Sequence, residues 1–416
     1  MVGLSATRLG RIDRWLAHQI EAEKLAGASV LVGRRGKVAH FGAAGLTDLD
    51  GTQPFQEDTI VRIYSMTKAV TSVAAMMLFE EGAFQLDDPV SNFIPEFGAT
   101  PVWSGGDIDN VVPQDTPMTV RHLFTHTSGL TYGFMQANPV DAMYRDERIE
   151  FPGGGKSLAE LVAKVAEVPL ICQPGSEWNY SVSTDVLGRL VEVWSGQTLE
   201  EFFQERIFAP LNMADTGFFV RPENHGRFAA LYSPLSGADM SNVGKTETSA
   251  GSGAESKGLK LQEKAENSHF LKPTQLFSGG GGLTASIMDY ARFCQMLLGE
   301  GELEGERLLS RKTVEHMRLN HLPDNKDMSA MGQPVWSETS YDGIGFGLGF
   351  AVVLDPVKAH MVTSVGEHHW GGAASTFFWL DPTEDLFTIL FTQLMPSSTY
   401  PIRRELRTAV YQAIAD

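Results

Sequence analysis

The 416-residue sequence predicts a mixed α/β protein of the α+β type, with a central antiparallel sheet flanked by helices and an inserted, mainly helical domain. Short apolar runs typical of strands lie near both ends of the chain, whereas apolar residues in the middle recur at helical spacing. Because the two patterns are separated along the chain, we expect residues 1–66 and 283–416 to form the sheet domain together. Residues 67–282 are then expected to form the helical domain.

The N-terminal part of the chain predicts a helix followed by a β-hairpin. Apolar residues from Leu9 to Ile20 recur at spacings of three and four, which places them on one face of a helix within residues 5–24. The apolar runs at residues 28–32 and 38–43 are joined by a short polar connection. So short a connection makes the two strands antiparallel.

Helical spacing dominates the middle of the chain, and strand-like runs return near its C-terminal end. The helical segments are residues 68–82, 120–124, 158–168, 184–194, 199–208 and 287–298. Strands are predicted at residues 345–354, 375–380 and 386–394, followed by a helix over residues 402–414. Residues 233–267 are rich in Ser, Gly, Glu and Lys and almost free of large apolar side chains, which indicates a mobile surface excursion.

The charge balance limits the classes of macromolecular partner. The chain has 33 Lys and Arg residues against 51 Asp and Glu residues, which gives a net charge of −18 with neutral histidine. Nucleic-acid binding depends on clustered basic residues, and no basic run here is longer than a pair, so no nucleic-acid partner is expected. The sequence does not indicate an oligomeric state.

The apolar and cysteine content limits the cellular setting. The longest strongly apolar segment, residues 70–79, is well short of the ~20 residues that a membrane span needs. The N-terminal residues lack the uninterrupted apolar stretch of a signal peptide, so a cytoplasmic protein without a membrane partner is expected. Cys172 and Cys294 are too few for a disulfide scaffold or for a zinc site built from cysteines.

The first candidate for chemistry is the Ser-x-x-Lys pattern of Ser65 and Lys68, which immediately precedes an apolar helical segment. Residues three apart share a helix face, so the lysine amine would lie one turn from the serine hydroxyl. The positive end of the helix would lie beside the same oxygen, as suits an activated nucleophile. So short a pattern is also consistent with a helix-capping serine followed by a solvated lysine.

The second candidate is Tyr180, in a loop before the helical segment at residues 184–194. A phenol in such a loop can point into a cleft, and a cationic neighbour would allow it to accept the serine proton. A buried aromatic ring with a satisfied hydroxyl explains the same pattern.

The third candidate is the run from His368 to Ser375, where the adjacent glycines Gly371 and Gly372 allow a ligand to approach the backbone closely. Free N–H groups there could form half of an oxyanion hole, with the N–H of Ser65 as the other half. No metal is expected, because adjacent histidines such as His368 and His369 point to opposite faces of a strand.

The order of these segments resembles the serine β-lactamase and penicillin-binding-protein superfamily, in particular class C β-lactamases and the related family VIII carboxylesterases. The first motif of that family is Ser-x-x-Lys, matched by Ser65 and Lys68. The second motif is Tyr-x-Asn, matched at Tyr180 and broken at Val182. The resemblance covers nearly the whole chain and implies a β-lactamase-like fold.

The third motif departs from that of β-lactamases. It is Lys-Thr-Gly in those enzymes and often Trp-Gly-Gly in the esterases and in acyltransferases similar to lovastatin synthase, and here it is Trp370-Gly371-Gly372. The missing lysine would bind a substrate carboxylate, and the asparagine replaced by Val182 would bind an acylamide side chain. The resemblance therefore implies a pocket for a small, uncharged ester, to which Trp370, Gly371, Gly372 and Val182 contribute.

The resemblance also implies a mechanism that requires no cofactor. Ser65 attacks the ester carbonyl, Lys68 and Tyr180 share the role of general base, and the N–H groups of Ser65 and Ala373 bind the oxyanion. Tyr132 would be either a third hydroxyl in the cleft or an aromatic wall residue. The expected activity is that of a serine carboxylesterase, with an acyltransferase or weak β-lactamase as the alternative. A penicillin-recognising protein without turnover is a further alternative.

Overall fold

The computed structural model describes residues 2–149, 157–235, 258–332, 341–397 and 399–416. Its strands are β1 (Gly27–Arg34), β2 (Lys37–Gly45), β3 (Ile60–Arg62), β4 (Val102–Trp103), β5 (Val111–Val112), β6 (Leu231–Pro234), β7 (Leu259–Glu263), β8 (Thr284–Ser286), β9 (Glu302–Leu303), β10 (Glu306–Arg307), β11 (Ile344–Phe346), β12 (Ala351–Val353), β13 (His368–Gly371), β14 (Phe377–Asp381) and β15 (Leu386–Thr392). Its α-helices are α1 (Ala6–Glu21), α2 (Thr67–Glu80), α3 (Val120–Phe124), α4 (Pro139–Asp146), α5 (Leu158–Glu167), α6 (Ser183–Ser195), α7 (Leu199–Phe203), α8 (Ile287–Leu298), α9 (Arg311–Met317) and α10 (Ile402–Tyr411).

The two ends of the chain form one seven-stranded antiparallel sheet, with strand order β11-β12-β13-β14-β15-β1-β2. β1 lies between β15 and β2, and Val30 pairs with Leu390 on one side and Gly42 on the other. Every residue of β1 is buried, because helices cover the sheet on both faces. The predicted antiparallel sheet with flanking helices is therefore confirmed.

Two apolar clusters pack on the opposite faces of this sheet. On one face, Ile12 and Leu16 of α1 pack with Leu406 and Val410 of α10. On the other face, α8 packs against β15 and adjoins the larger cluster that also contains α2 and α6. α2 is apolar around nearly its whole circumference and almost completely buried, as expected for a central helix.

The structure also contains short elements that periodicity did not predict. α4 follows Asn138, whose side chain accepts the N–H of Asp141, and α9 follows Ser310, whose side chain accepts the N–H of Thr313. Both helices are too short to show a clear apolar repeat in the sequence. Their capping residues were the sequence features that could have predicted them. The strand predicted at residues 345–354 is divided into β11 and β12.

The predicted excursion at residues 233–267 begins and ends in regular structure. β6 and β7 pair as antiparallel strands, with Tyr232 opposite Leu261. Backbone hydrogen bonds form this pair without a large apolar content, which explains why composition did not indicate it. Residues 236–257 lie outside the described residues. Of the helices in the described ranges, none has the length and apolar character that a membrane crossing requires.

Candidate active site

Ser65 lies in a tight turn between β3 and α2. A single 3₁₀ turn, Tyr64–Met66, joins the strand to the helix, and Tyr64 adopts the left-handed backbone conformation with φ of +42°. This conformation is costly for a residue with a side chain, so packing around the turn must stabilise it. The turn leaves Ser65 half-buried at the N-terminal end of a buried helix.

Two side chains converge on the Ser65 hydroxyl. The Tyr180 hydroxyl donates a hydrogen bond to Ser65 Oγ at 2.6 Å, and Lys68 Nζ donates to the same oxygen at 3.4 Å. Tyr180 is 4% exposed and Lys68 2% exposed, so both polar groups are withheld from bulk water. The arrangement provides a short path for a proton between the serine and tyrosine oxygens.

Lys68 is fixed by partners on three sides. Besides Ser65, its Nζ donates to the hydroxyl of Tyr132 at 3.1 Å and to the carbonyl of Gly280 at 2.6 Å. The same nitrogen lies 4.6 Å from the centroid of the Tyr180 ring, within the range of a cation–π contact. This burial excludes the interpretation of Lys68 as a solvated lysine after a helix cap.

The loop that contains Tyr180 is attached to the segment around His126. The Asn179 N–H donates to the His126 carbonyl at 2.8 Å, and the Asn179 side-chain amide donates to the Leu130 carbonyl at 2.8 Å. The His126 ring packs 4.9 Å from the Tyr180 ring. Burial and the charge of Lys68 lower the pKa of His126, so a neutral imidazole supports the tyrosine.

Tyr132 and Trp370 lie beside this centre. The Tyr132 hydroxyl accepts from Lys68, and its ring stacks on Phe134 with a centroid distance of 4.7 Å. Both interpretations of Tyr132, a third hydroxyl and an aromatic wall residue, thus describe part of its contacts. The Trp370 ring lies 5.4 Å from Tyr180 and 5.3 Å from Phe346.

The turn after β13 approaches the Ser65 turn closely. A Cβ atom added at Gly372 would lie 2.3 Å from the carbonyl oxygen of Ile63, two residues before Ser65. Only glycine permits this approach. Among the described residues, neither the N–H of Ser65 nor that of Ala373 has a hydrogen-bond acceptor. Within the described part of the chain, both N–H groups that we expect to bind the oxyanion are therefore left without an acceptor.

Similarity to known proteins identifies the family of this chain. The family model described as Beta-lactamase matches residues 12–412. The chain belongs to the beta-lactamase family. An uncharacterised protein of Mycobacterium tuberculosis is 34% identical over 382 residues, which cover 90% of this chain and 88% of that protein. Esterase EstB of Burkholderia gladioli is 29% identical over 418 residues, 98% of this chain and 96% of the esterase.

A solved structure agrees as well. The solved structure of EstCE1, a hydrolase with promiscuous acyltransferase activity, superposes on this chain with a TM-score of 0.77 and 25% identity, and the match covers 98% of each chain. The expected β-lactamase-like fold and the resemblance to family VIII esterases are thus confirmed.

Two positions depart from the β-lactamase motifs. Val182, at the asparagine position of the second motif, is 1% exposed at the start of α6, where it packs in the apolar core. Val182 therefore has almost no accessible surface that a substrate could contact, although we expected it to contribute to the substrate pocket. Trp370, at the lysine position of the third motif, supplies an indole in place of an ammonium group.

Sequence reasoning missed Asp185, in the first turn of α6. Asp185 is 3% exposed, and its Oδ1 accepts the Ser278 hydroxyl at 2.5 Å and the Gly280 N–H at 3.1 Å. Burial raises the pKa of the Asp185 carboxyl, while the charge of Lys68 and these hydrogen bonds oppose the rise. The sequence offered one signal for Asp185: an acidic residue that adjoins Val186 on the buried face of a helix.

β3 and β8 position the loop that contains Gly280. The two strands pair, the Ile63 N–H donates to the Leu283 carbonyl at 3.1 Å, and the Leu283 N–H donates to Thr67 Oγ1 at 3.1 Å. The loop therefore passes the N-terminal end of α2, where Lys68 meets the Gly280 carbonyl.

Proposed function

We propose that the protein is a serine carboxylesterase that hydrolyses small or short-chain uncharged esters through an acyl-enzyme on Ser65. The observation on which this depends is the double contact of the Ser65 hydroxyl with Tyr180 and Lys68 at 2.6 and 3.4 Å. A nucleophile and a base in hydrogen-bonding distance, with the base oriented by a third group, form the minimal arrangement for acyl transfer. The similarity of this chain to esterase EstB supports the same assignment.

In the structure Tyr180 is protonated and donates to Ser65, and its reactive form in this proposal is the phenolate, which the nearby Lys68 ammonium stabilises. Acylation begins with proton transfer from Ser65 to this phenolate. The Ser65 oxygen forms a bond to the ester carbonyl carbon, and the electron pair of the C=O double bond moves to the carbonyl oxygen. Collapse of this tetrahedral species breaks the bond to the alcohol oxygen, which takes the proton from Tyr180. The products of this half-reaction are the free alcohol and a Ser65 ester.

Deacylation repeats these steps with water. Tyr180 accepts a proton from water while the water oxygen attacks the acyl carbon, and the bond to Ser65 Oγ breaks as the serine oxygen regains that proton. The N–H groups of Ser65 and Ala373 stabilise the negative oxygen in both tetrahedral species. Loss of one such donor typically costs ~100-fold or more in turnover.

The preference for an uncharged ester follows from the departures in the second and third motifs. Trp370 is 7% exposed and packs with Tyr180 and Phe346, so it offers a small apolar edge where a β-lactamase has a lysine for the substrate carboxylate. The net charge of −18 also disfavours anionic ligands. The ligand is therefore a small-molecule ester, and neither nucleic acid nor a membrane is part of the reaction.

The test uses the Ser65→Ala variant. We expect it to lose hydrolysis of p-nitrophenyl butyrate and labelling by a fluorophosphonate probe, while its circular dichroism spectrum stays that of the wild type. Ser72→Ala is the matched control, because Ser72 is a buried serine of α2, one turn beyond Lys68. Wild-type hydrolysis and labelling by Ser65→Ala would refute the proposal.

Acyl transfer is the second candidate, because EstCE1 is described as a hydrolase with promiscuous acyltransferase activity. The same acyl-enzyme would react with an alcohol in place of water. Product analysis with p-nitrophenyl butyrate and a graded concentration of a primary alcohol measures the partition between acid and new ester. Adding nitrocefin to the substrate panel tests for residual β-lactam opening.

A further inference from the structure

Arg403, in the first turn of α10, donates hydrogen bonds to the turn that contains Ala373. Its Nη2 lies 3.0 Å from the Gly372 carbonyl oxygen and 3.0 Å from the Thr376 carbonyl oxygen. The guanidinium carbon lies 4.9 Å from the centroid of the Phe377 ring. Arg403 is half-buried, and its guanidinium carries a positive charge at neutral pH.

The Gly372 carbonyl and the Ala373 N–H belong to the same peptide unit. In a trans peptide these two groups point in opposite directions. The Gly372 oxygen accepts both Arg403 and the Ser375 N–H, the latter at 3.1 Å, so its side of the peptide is occupied by donors. The Ala373 N–H therefore points away from Arg403, and it has no acceptor among the described residues.

A cation at the carbonyl oxygen changes the electronic character of the peptide. It favours the resonance form with negative oxygen and positive nitrogen, which makes the N–H a stronger donor. It also fixes the plane of the peptide, so the N–H does not need to reorient when charge develops on a substrate. The close approach of Gly372 to the Ile63 carbonyl keeps this peptide beside the Ser65 turn.

We propose that Arg403 is a positioning residue for the oxyanion hole, whose guanidinium orients and polarises the Gly372–Ala373 peptide. This inference rests on the proposed acyl-enzyme at Ser65. It goes beyond that function because it assigns a role to a residue outside the three motifs. The competing explanation is that Arg403 only attaches α10 to the end of β13.

Three substitutions separate charge, hydrogen bonding and packing. Arg403→Lys keeps the charge, Arg403→Gln keeps a neutral donor for the Gly372 carbonyl, and Arg403→Met keeps only the apolar stem. Arg404→Met is the matched control, because Arg404 is the neighbouring, exposed arginine, and its Nη2 donates to the His360 carbonyl at 3.1 Å.

The deciding measurement is the carbonyl stretching frequency of the acyl-enzyme, from infrared difference spectra of unlabelled and ¹³C-carbonyl p-nitrophenyl butyrate. Stronger oxyanion donors lower this frequency. We expect the frequency to rise from wild type through Arg403→Lys and Arg403→Gln to Arg403→Met, and kcat of Arg403→Met to fall about tenfold or more with a smaller change in KM. Arg404→Met should match the wild type in both measurements.

The outcomes are distinct. A folded Arg403→Met variant with the wild-type carbonyl frequency would overturn the positioning role and leave only the attachment of α10. If Arg403→Met does not fold, the carbonyl frequencies of Arg403→Lys and Arg403→Gln provide the test. Wild-type frequencies in both variants would overturn the positioning role of Arg403. Absence of a Ser65 adduct in the wild-type enzyme by mass spectrometry would instead refute the proposed function, and this inference with it.

Discussion

Asp185 and Lys68 bind opposite sides of one residue, Gly280. The Asp185 carboxylate accepts the Gly280 N–H at 3.1 Å, and the Gly280 carbonyl accepts Lys68 Nζ at 2.6 Å. The position of the lysine amine thus depends on a carboxylate that it does not contact through a hydrogen bond. Three elements meet at this point: α2, α6 and the loop before β8.

We expect Asp185→Ala to lower kcat about 100-fold, because the Gly280 loop loses its acceptor and Lys68 loses a fixed carbonyl. Asp185→Asn retains an acceptor of the same size and removes only the charge, so a smaller loss of about tenfold is expected. Steady-state kinetics with p-nitrophenyl butyrate measure both. Asp289→Asn is the control, because Asp289 has an equivalent place in the first turn of α8 but accepts the Asp215 N–H. Equal kcat in Asp185→Ala and wild type would contradict this account.

Gly280→Ala should lower the activity of the enzyme while the chain still folds. The added Cβ would lie 2.4 Å from Asp185 Oδ2 and 3.2 Å from the Tyr132 hydroxyl, so the loop must shift away from Lys68. We expect kcat to fall about tenfold or more, with a small loss of thermal stability. Gly226→Ala provides the comparison, since a Cβ there meets nothing within 4 Å. The prediction fails if the two variants have the same kcat.

The two tyrosines near Lys68 should differ in their effect on acylation. Tyr180→Phe removes the 2.6 Å contact with Ser65, so the acylation burst should fall about 1,000-fold. Tyr132→Phe removes only a partner of Lys68 and should cost about tenfold or less. Stopped-flow release of p-nitrophenol measures the burst. A wild-type burst in Tyr180→Phe would remove this tyrosine from the mechanism.

Acid should destabilise the fold through buried histidines. Burial lowers the pKa of His122, His321 and His368 from 6.5 to about 4, and Arg121 contacts His321 Nδ1 at 3.0 Å. Between these pH values the unfolded chain binds more protons than the native state, so stability falls as pH falls from about 6.5 to about 4. Each of these histidines lowers the free energy of unfolding by roughly 1 kcal/mol for each pH unit of acidification in that window.

Urea unfolding of the wild type and His321→Gln at pH 7.5, 6 and 5 tests this expectation. The variant should lose less stability on acidification than the wild type. The comparison of slopes is needed because burial raises the pKa of Asp289 to about 6, and a raised carboxyl pKa acts in the opposite sense. Parallel slopes for the two proteins would contradict the assignment to His321.

Local patterns predicted the elements whose signals are contained in a few consecutive turns or strand residues. The N-terminal hairpin is specified by two apolar runs with a short connection, and it forms β1 and β2. α2 is specified by a long apolar run after Lys68. α4 was missed because a short helix buries few apolar residues. The pair β6–β7 was missed because no residue of β7 is fully buried.

The sequence by itself determined the Ser65–Lys68 pair, because residues three apart at a helix start are neighbours whatever the rest of the chain does. It also determined the antiparallel sheet and, through the order of its motifs, the family. Only the tertiary structure decided that Asp185 fixes Gly280 beneath Lys68 and that Arg403 binds the peptide of Ala373. These contacts join elements far apart in the chain, and their formation depends on side-chain packing and backbone approach that no local periodicity specifies.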